Sequence, residues 1–290
     1  MDVRNFIDLH VHIGPEIIPR KFTVQKLIEE ETGKIAGMAL KNHFYPTVPM
    51  IKSAGERSPT LIGSVTLNNY IGGLNAGAIE SSAKISENPV IVWFPTINAR
   101  NFLEKTIYEI PKEWCGGKFE SRPSKSVRGI AVLDGNGGLS RAATGVLRVV
   151  KENNCILATG HISWQESKKL VEEAVRIGIK KIIVTHPIYQ KINMPVSVQK
   201  KLARNTGVYI EQCYSMYSID KISIKSIAGQ IKQIGVNKCI IASDVGQIKS
   251  PSPSEALEKF AVLLKREGIT EEELGLMGAK NPGKLISNVL

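Results

Sequence analysis

The sequence predicts an α/β fold, a closed (β/α)8 barrel formed by a single domain over residues 1–290. Short apolar runs alternate with longer amphipathic stretches, a pattern typical of parallel strands joined by crossover helices. Eight strand-like runs in a chain of 290 residues fit a closed barrel better than an open doubly wound sheet. The glycine-rich fingerprint of dinucleotide-binding sheets is also missing after the first strand, where His10-Val-His-Ile-Gly-Pro stands instead.

The predicted strands are short apolar runs, and several carry a histidine or an aspartate at or near the C-terminal end. In chain order they are Phe6–Ile13, Gly37–Phe44, Leu61–Leu67, Val90–Ile97, Cys155–Ile162, Lys181–His186, Val208–Cys213 and Cys239–Asp244. The run Val127–Leu133 is predicted as an extra strand.

The predicted helices carry their apolar residues at helical spacing. They are Val24–Lys34, Leu74–Ser86, Ala142–Asn153, Ser163–Ile177, Ile222–Ile234 and Ser254–Arg266. Thr23 precedes the first helix and Gly33 lies at its end, while Ser163 with Glu166 three residues later forms a capping-box pattern. These signals support the helix ends independently of the hydrophobic pattern.

The segment Asn98–Ser140 is longer than an ordinary connection between a strand and a helix. We therefore predict a long insertion after strand 4, of the kind that serves as a lid or binding loop. The segment contains Arg100 and Arg128, whose planar guanidinium groups are candidates for binding a carboxylate or phosphate. Simple surface placement is the competing interpretation for both arginines.

The composition indicates an ordinary globular protein, with 42% hydrophobic and 22% charged residues. A net charge of +11 raises the question of a nucleic-acid partner. The lysines are scattered along the predicted helices, however, and no nucleic-acid-binding motif accompanies them. We therefore expect a small-molecule substrate and no nucleic-acid partner, and we leave a homo-oligomer open.

The sequence gives no sign of a membrane or of an oxidising compartment. The first residues lack the apolar core of a signal peptide, and no apolar run approaches the roughly 20 residues needed to cross a bilayer. We therefore expect a cytoplasmic protein with no membrane partner. The four cysteines lack paired spacing and are predicted to be buried reduced thiols. They are Cys115, Cys155, Cys213 and Cys239.

All five histidines lie at or near the C-terminal end of a predicted strand: His10, His12, His43, His161 and His186. Catalytic groups of an α/β barrel collect at that rim. A single histidine there is more often a hydrogen-bonded core residue, but five at one rim favour a functional site. His10 and His12 are two residues apart on an extended strand and therefore share a face. Two such imidazoles can take adjacent corners of a metal site.

Asp244 closes the last apolar strand, and with it the order of polar strand ends resembles the amidohydrolase superfamily of metal-dependent, TIM-barrel hydrolases. In that family a first-strand His-x-His, a histidine ending the fifth strand, another ending the sixth and an aspartate ending the eighth form the metal and catalytic set. The tail Asn281-Pro-Gly-Lys-Leu-Ile is similar to the family's Asn-Pro-Ala-x-x-Leu ending. The resemblance implies these metal ligands: His10, His12, His161, His186 and Asp244.

The sequence departs from the family at the fourth strand, where two-metal members carry a carboxylated lysine or a glutamate. Here the run Val90–Asn98 contains neither an acid nor a lysine. Lys41, which shares a strand face with His43, and Glu211 are the two candidate substitutes. We therefore favour one divalent ion, with zinc as the first choice, and expect two only if Lys41 or Glu211 bridges them.

The resemblance implies hydrolysis of an amide, ester, lactone or related bond in a small polar substrate, and an anionic substrate is left open. A bound cation can lower the pKa of water to about 7. Asp244 would accept the proton of that water and pass it to the leaving group. His161 or His186, whichever does not bind the metal, would orient the water or polarise the substrate. Lys41 and His43 are candidates for contacting an anionic substrate group.

Two alternatives to hydrolysis stay open from the sequence. Some members of the family are metal-dependent decarboxylases, in which the ion orients a carboxylate and no water attacks. The chain is also compatible with a non-catalytic barrel that binds a metal or a ligand.

Overall fold

The computed structural model describes residues 1–55, 58–115 and 121–287, and in these ranges the chain forms an α/β fold of parallel strands. The strands form two hydrogen-bonded sheets, ordered β1-β2-β3 and β4-β5-β6-β7-β8-β9. Their bounds are β1 Ile7–His12, β2 Gly37–Lys41, β3 Thr60–Ile62, β4 Ser64–Thr66, β5 Ile91–Trp93, β6 Ile156–Ala158, β7 Ile182–Val184, β8 Val208–Cys213 and β9 Cys239–Ala242.

The predicted third strand is divided into β3 and β4 at Gly63, where the chain lies very close to Val48. A Cβ atom on Gly63 would lie 2.3 Å from Cγ2 of Val48. Next to this point Thr47 replaces part of the strand ladder, because its Oγ1 accepts from Ser64 N at 2.8 Å and donates to Leu40 O at 2.8 Å. One chain segment therefore belongs to both sheets.

The first strand also meets the end of the last strand. His12 N donates to Val245 O at 2.8 Å, and Asp244 N donates to His10 O at 2.9 Å. On its other side β1 pairs with β2 in parallel, with His12 opposite Lys41. The C-terminal ends of the first, second and last strands are therefore neighbours.

The helices lie between successive strands or follow the last one, except for α4, which belongs to the long connection after β5. Their bounds are α1 Val24–Glu31, α2 Val48–Ala54, α3 Ala76–Ile85, α4 Arg100–Glu104, α5 Arg141–Glu152, α6 Trp164–Arg176, α7 Val196–Ala203, α8 Tyr214–Ser218, α9 Ile224–Ile234, α10 Pro253–Arg266, α11 Glu271–Gly275 and α12 Asn281–Ile286. Each predicted helix is present with its ends within one turn of the prediction.

The predicted helix caps are confirmed at α1 and α6. Thr23 accepts from Lys26 N at 3.3 Å and caps α1. Ser163 and Glu166 form the reciprocal capping box at α6, with bonds of 3.2 Å and 2.9 Å. These side chains satisfy backbone donors that the first helical turn leaves unpaired.

The long connection from β5 to α5 contains α4 and short 3₁₀ turns, and its residues 116–120 lie outside the described ranges. The prediction of an extra strand at Val127–Leu133 was wrong, because these residues form only single bridges, such as Ala99 with Ile130. The connection is anchored by buried Glu109, which accepts from Asn98 Nδ2 at 2.5 Å and from Arg122 Nη2 at 2.9 Å.

Both faces of the strands are buried, as expected for parallel strands covered by helices. One apolar cluster contains alternate strand residues such as Leu9, Trp93 and Ile240. The other contains residues of the opposite strand faces and of the helices, such as Val92 and Leu170. The four cysteines are buried and free, as predicted. Within the described ranges, every helix is too short or too polar to cross a bilayer.

Candidate metal centre

The five histidines lie together at the C-terminal ends of the strands, and all are buried. Neighbouring ring centroids are 4.8 Å apart for His43 and His12, and 5.3 Å apart for His12 and His10. The set continues from His10 to His186 at 5.7 Å and from His186 to His161 at 5.1 Å. His10 and His161 are 151 positions apart in the chain, and the imidazole of His186 lies between them in the structure.

Three of the candidate ligands bring their donor atoms to one point. Nε2 of His10 lies 3.1 Å from Oδ1 of Asp244, and Nε2 of His12 lies 3.0 Å from the same oxygen. The donor atoms of these three residues all lie within 4.8 Å of one another. Two imidazole nitrogens and a carboxylate oxygen are ligand types that zinc takes in proteins. His161 and His186 stand beside this group but do not belong to it.

The turn after β9 fixes the direction of the Asp244 side chain. Asp244 has a left-handed backbone, with φ of 51°, which is uncommon outside glycine and tolerated best by asparagine and aspartate. Gly246 allows the turn to pass close to β1, because a Cβ there would lie 2.2 Å from His12 O. Ser215 Oγ donates to Oδ2 of Asp244 at 2.6 Å and leaves Oδ1 directed at the two histidines.

Burial would raise the pKa of Asp244, but His10 and His12 outweigh that effect and hold the pKa well below its usual value. The carboxylate is therefore ionised. Burial lowers the pKa of His12 and His161 well below the usual value and that of His186 to about 4, so these imidazoles are neutral. Neutral imidazole and ionised carboxylate are the forms that bind a metal, and an ion at Nε2 of His12 would displace the proton that this nitrogen shares with Asp244.

Glu211 determines which nitrogen of His10 is available. Its two carboxylate oxygens lie 3.2 Å and 3.3 Å from Nδ1 of His10, and both side chains are fully buried. An ionised carboxylate only accepts hydrogen bonds, so Nδ1 carries the proton and Nε2 presents a lone pair. Nε2 of His10 lies 3.0 Å from Nζ of Lys41 and 3.1 Å from Oδ1 of Asp244. Two imidazole nitrogens and a carboxylate oxygen at such distances form a donor set that fits a divalent ion.

Lys41 supplies a positive charge beside this cluster. Its Nζ lies 3.0 Å from Nε2 of His10 and 4.2 Å from the centroid of the Trp93 ring. Burial lowers the pKa of Lys41 to about 8, and the charges of Asp244 and Glu211 oppose that shift. Lys41 therefore contacts a candidate ligand directly and is not a solvent-exposed lysine.

The remaining histidines differ in their hydrogen bonding. Nδ1 of His43 lies 2.9 Å from Oγ1 of Thr96, and its ring stacks against Trp114 at 6.1 Å. Nδ1 of His161 and Nδ1 of His186 are buried and have no hydrogen-bond partner. Both nitrogens are therefore candidate ligand atoms beside the cluster.

A small pocket at this rim is lined by several of the candidate site residues. Its lining also includes residues that were not predicted from the sequence to belong to a site. It is lined by His12, Arg20, His43, Trp114, His161, His186, Tyr189, Ser215, Met216, Ile219, Asp220, Asp244 and Gln247. Neither Arg20 nor Ser215 belongs to a recognisable sequence motif. The only local signal is the spacing of Glu16 and Arg20, which are four residues apart and form an ion pair. Arg100 and Arg128 line a different pocket, together with Gly72 and Gly73.

Comparison with known families identifies the family of the chain. Residues 5–211 match a family described as a family of unknown function, DUF6282. The chain belongs to the DUF6282 family. The DUF6282 match includes His10, His12, His161, His186 and Glu211 and ends before Asp244. No curated protein sequence matches the chain significantly.

Solved structures show the fold of this DUF6282 chain. It is similar to an amidohydrolase from Pseudomonas aeruginosa, with a TM-score of 0.59, 10% identity and 97% and 94% of the two chains covered. A putative 2-pyrone-4,6-dicarboxylic acid hydrolase from Pseudomonas putida gives a TM-score of 0.58 at 11% identity, with 97% of each chain covered. A zinc-bound amidohydrolase from Burkholderia multivorans gives 0.56 at 10% identity, with 97% and 98% covered. The predicted resemblance to the amidohydrolase superfamily is thus confirmed in the fold.

Proposed function

We propose that the chain is a metal-dependent hydrolase in which His10, His12 and Asp244 hold a divalent ion, with zinc as the favoured metal. The observation that carries this proposal is the convergence of two imidazole Nε2 atoms on one carboxylate oxygen at 3.0 Å and 3.1 Å in a buried site. Structural zinc sites are usually closed by four protein ligands, whereas catalytic sites keep a position for water or substrate. His186 or His161 would be the fourth protein group beside such a position, because each has a buried, unpaired Nδ1.

We also infer that the strands close into a (β/α)8 barrel. The hydrogen bonds between β1 and the residues after β9, and the continuity of β3 with β4 through Gly63, support this closure. In such a barrel the C-terminal rim of the strands is the position of the active site. The candidate metal centre lies at this rim.

A divalent ion bound here supplies a Lewis acid that lowers the pKa of water to about 7. Asp244 is ionised, with Oδ2 bonded to Ser215 and Oδ1 directed at the histidines, so this carboxylate would accept the proton of the attacking water. The same carboxyl then donates the proton to the leaving group. The neutral imidazole of His186 or His161 that is not a ligand orients the water or polarises the scissile carbonyl.

We assign Glu211 to the orientation of His10 and favour a single ion. Both oxygens of Glu211 face Nδ1 of His10, and Oε2 also accepts from His186 N at 3.2 Å. A carboxylate that binds the outer nitrogen of a ligand histidine fixes the ring and increases its basicity. A second ion remains an alternative if Lys41 is carboxylated or if Glu211 bridges.

The substrate class is a small polar molecule with an amide, ester or lactone bond. The relative from Pseudomonas putida is named as a hydrolase of a pyrone dicarboxylic acid, which supports testing lactones first. The pocket has polar groups at its wall from Tyr189, Asp220 and Gln247. These can orient a substrate that carries several oxygen atoms.

The proposal is tested by elemental analysis of purified protein and by turnover of ester, lactone and amide panels. We expect about one equivalent of a transition metal and a loss of at least about 100-fold in kcat for Asp244→Asn, in line with the 10²–10⁴-fold effect of general acid–base groups. Asp134→Asn is the matched control, since Asp134 is exposed and bonds only to its own turn, through Asn136 N and Gly138 N.

Three outcomes would contradict the proposal. Protein that contains less than about 0.2 equivalents of metal and takes up none on reconstitution has no metal centre. Release of carbon dioxide from carboxylic acids without consumption of water would identify a decarboxylase on the same scaffold. Metal-loaded protein that turns over nothing, with Asp244→Asn leaving its biological role intact, would indicate a binding protein.

A further inference from the structure

Glu16 and Arg20, in the segment that follows β1, form an ion pair at the rim. The Arg20 side chain is only 1% exposed and that of Glu16 is fully buried. Arg20 lines the same pocket as His12, His161, His186 and Asp244, whereas Glu16 does not. Arg20 therefore forms part of the pocket wall, and the carboxylate that partly neutralises its charge does not.

The hydrogen bonds of Arg20 leave one buried donor unused. Its Nη2 donates to Oε1 of Glu16 at 2.8 Å and lies 3.2 Å from Nδ1 of His12. Its Nε is buried and has no partner. A guanidinium group has five N–H donors and no acceptor, so only an oxygen or another acceptor can satisfy Nε. Glu16 and His12 contact Nη2 alone, so the guanidinium group keeps further N–H donors for an acceptor in the pocket.

Other cations are less well placed to bind a substrate in this pocket. Lys41 is directed at Nε2 of His10 and does not line the pocket. Arg100 and Arg128 are exposed and line another pocket. Within the described ranges, Arg20 is therefore the arginine or lysine that lines the pocket beside the histidines.

We propose that Arg20 is a specificity-determining residue that binds a carboxylate of the substrate through its guanidinium group. This inference rests on the proposed function, because it assigns the substrate class of the same site as a carboxylic acid that carries the scissile bond elsewhere. Charge-assisted hydrogen bonds from a guanidinium to a carboxylate are about twice as strong as neutral ones. A buried position strengthens the contact further, because the local dielectric constant is lower than that of water.

The test is calorimetric titration of metal-free protein with malonate, with neutral malonamide as the chemical control. Metal-free protein is used so that malonate cannot bind through a metal. We expect malonate to bind the native protein and malonamide to bind about tenfold more weakly or not at all. Arg20→Gln should weaken malonate binding by at least about tenfold. Arg100→Gln is the matched control and should bind malonate as the native protein does.

A second variant covers the case in which Arg20→Gln does not fold, because Glu16 would then be a buried charge without its partner. The double variant Glu16→Gln with Arg20→Gln removes both charges and should fold and still lose malonate binding. The inference is overturned if either folded variant binds malonate with native affinity. It is also overturned if the native protein binds no malonate at concentrations up to about 10 mM, because the Kd is then weaker than millimolar. Tighter binding of inorganic phosphate than of malonate would also overturn the carboxylate assignment. Because these titrations use no metal and no turnover, they remain informative if the hydrolase proposal fails.

Discussion

Replacement of Glu211 by glutamine tests whether the buried carboxylate acts through His10. Glu211→Gln keeps the size of the side chain and one oxygen but removes the negative charge. In the native protein the two oxygens accept from Nδ1 of His10 at 3.2 Å and from His186 N at 3.2 Å. Glutamine has one oxygen for these two donors, so one N–H must face the new amide NH2 group.

The expected loss of metal affinity follows from these contacts. A hydrogen bond to a charged group contributes about 1.5–3 kcal/mol, and a neutral one about 0.5–1.5 kcal/mol. The difference of roughly 1–1.5 kcal/mol on the Nδ1 bond of His10 corresponds to about a tenfold weaker Kd. If the glutamine oxygen turns to His186 N instead, His10 loses its acceptor and the effect approaches 100-fold, the upper range for groups behind metal-ligating histidines.

The assay is competition for zinc between the protein and a chelating dye, with the free energy of unfolding measured in parallel. Glu109→Gln is the matched control, because Glu109 is also a buried carboxylate with side-chain donors, namely Tyr70, Asn98 and Arg122. It should lose stability but keep native zinc affinity. A Glu211→Gln protein that binds zinc within about twofold of native would refute the assigned role, since even the weaker case predicts about tenfold.

Two further predictions concern the packing of the rim and its pH dependence. Gly160→Ala should destabilise the fold by roughly 2 kcal/mol or more, because φ is 65° and a Cβ would lie 2.2 Å from Phe94 O. Urea unfolding measures this loss, with Gly145→Ala in α5 as the control. A Cβ on Gly145 would meet no atom within 4 Å, so we expect no loss of stability there. Asp8 is buried, which raises its pKa from 3.8 to about 7, while hydrogen bonds from Ser243 oppose the shift. The folded state therefore holds this proton where the unfolded state has lost it, and stability falls as pH rises from about 4 to 7. Urea midpoints across this range should decline less with pH in Asp8→Asn than in native protein, and identical slopes would contradict the assignment.

Local signals in the sequence were sufficient to predict most of the secondary structure. Apolar runs of four to eight residues identify strands because both faces of a parallel strand are buried, as at β5 and β7. The capping box at Ser163 predicted the start of α6 because its hydrogen bonds are local. The division between β3 and β4 was not predictable, since it depends on Val48 and Thr47 from a different part of the chain. The extra strand at Val127–Leu133 failed for the same reason, because a strand needs a partner that its own sequence does not specify.

The candidate site likewise has features that the sequence predicted and features that it did not. The placement of His10, His12 and Asp244 at strand ends was visible in the sequence, because parallel strands bring their C-terminal ends to one rim. The sequence did not indicate Arg20 as a pocket residue, and it offered Glu211 only as a candidate metal ligand.

The sequence by itself determined the succession of strands and helices and the rim on which its histidines would meet. Strand periodicity and chain direction fix both of these features, and neither requires knowledge of distant contacts. Only the tertiary structure decided which nitrogen of His10 faces Asp244, which cation lines the pocket and which side chains lack a partner. These properties depend on distances of about 3 Å between residues separated by up to 234 positions, such as His10 and Asp244. Hydrogen bonding at that range is set by the packing of the whole fold and not by any local pattern.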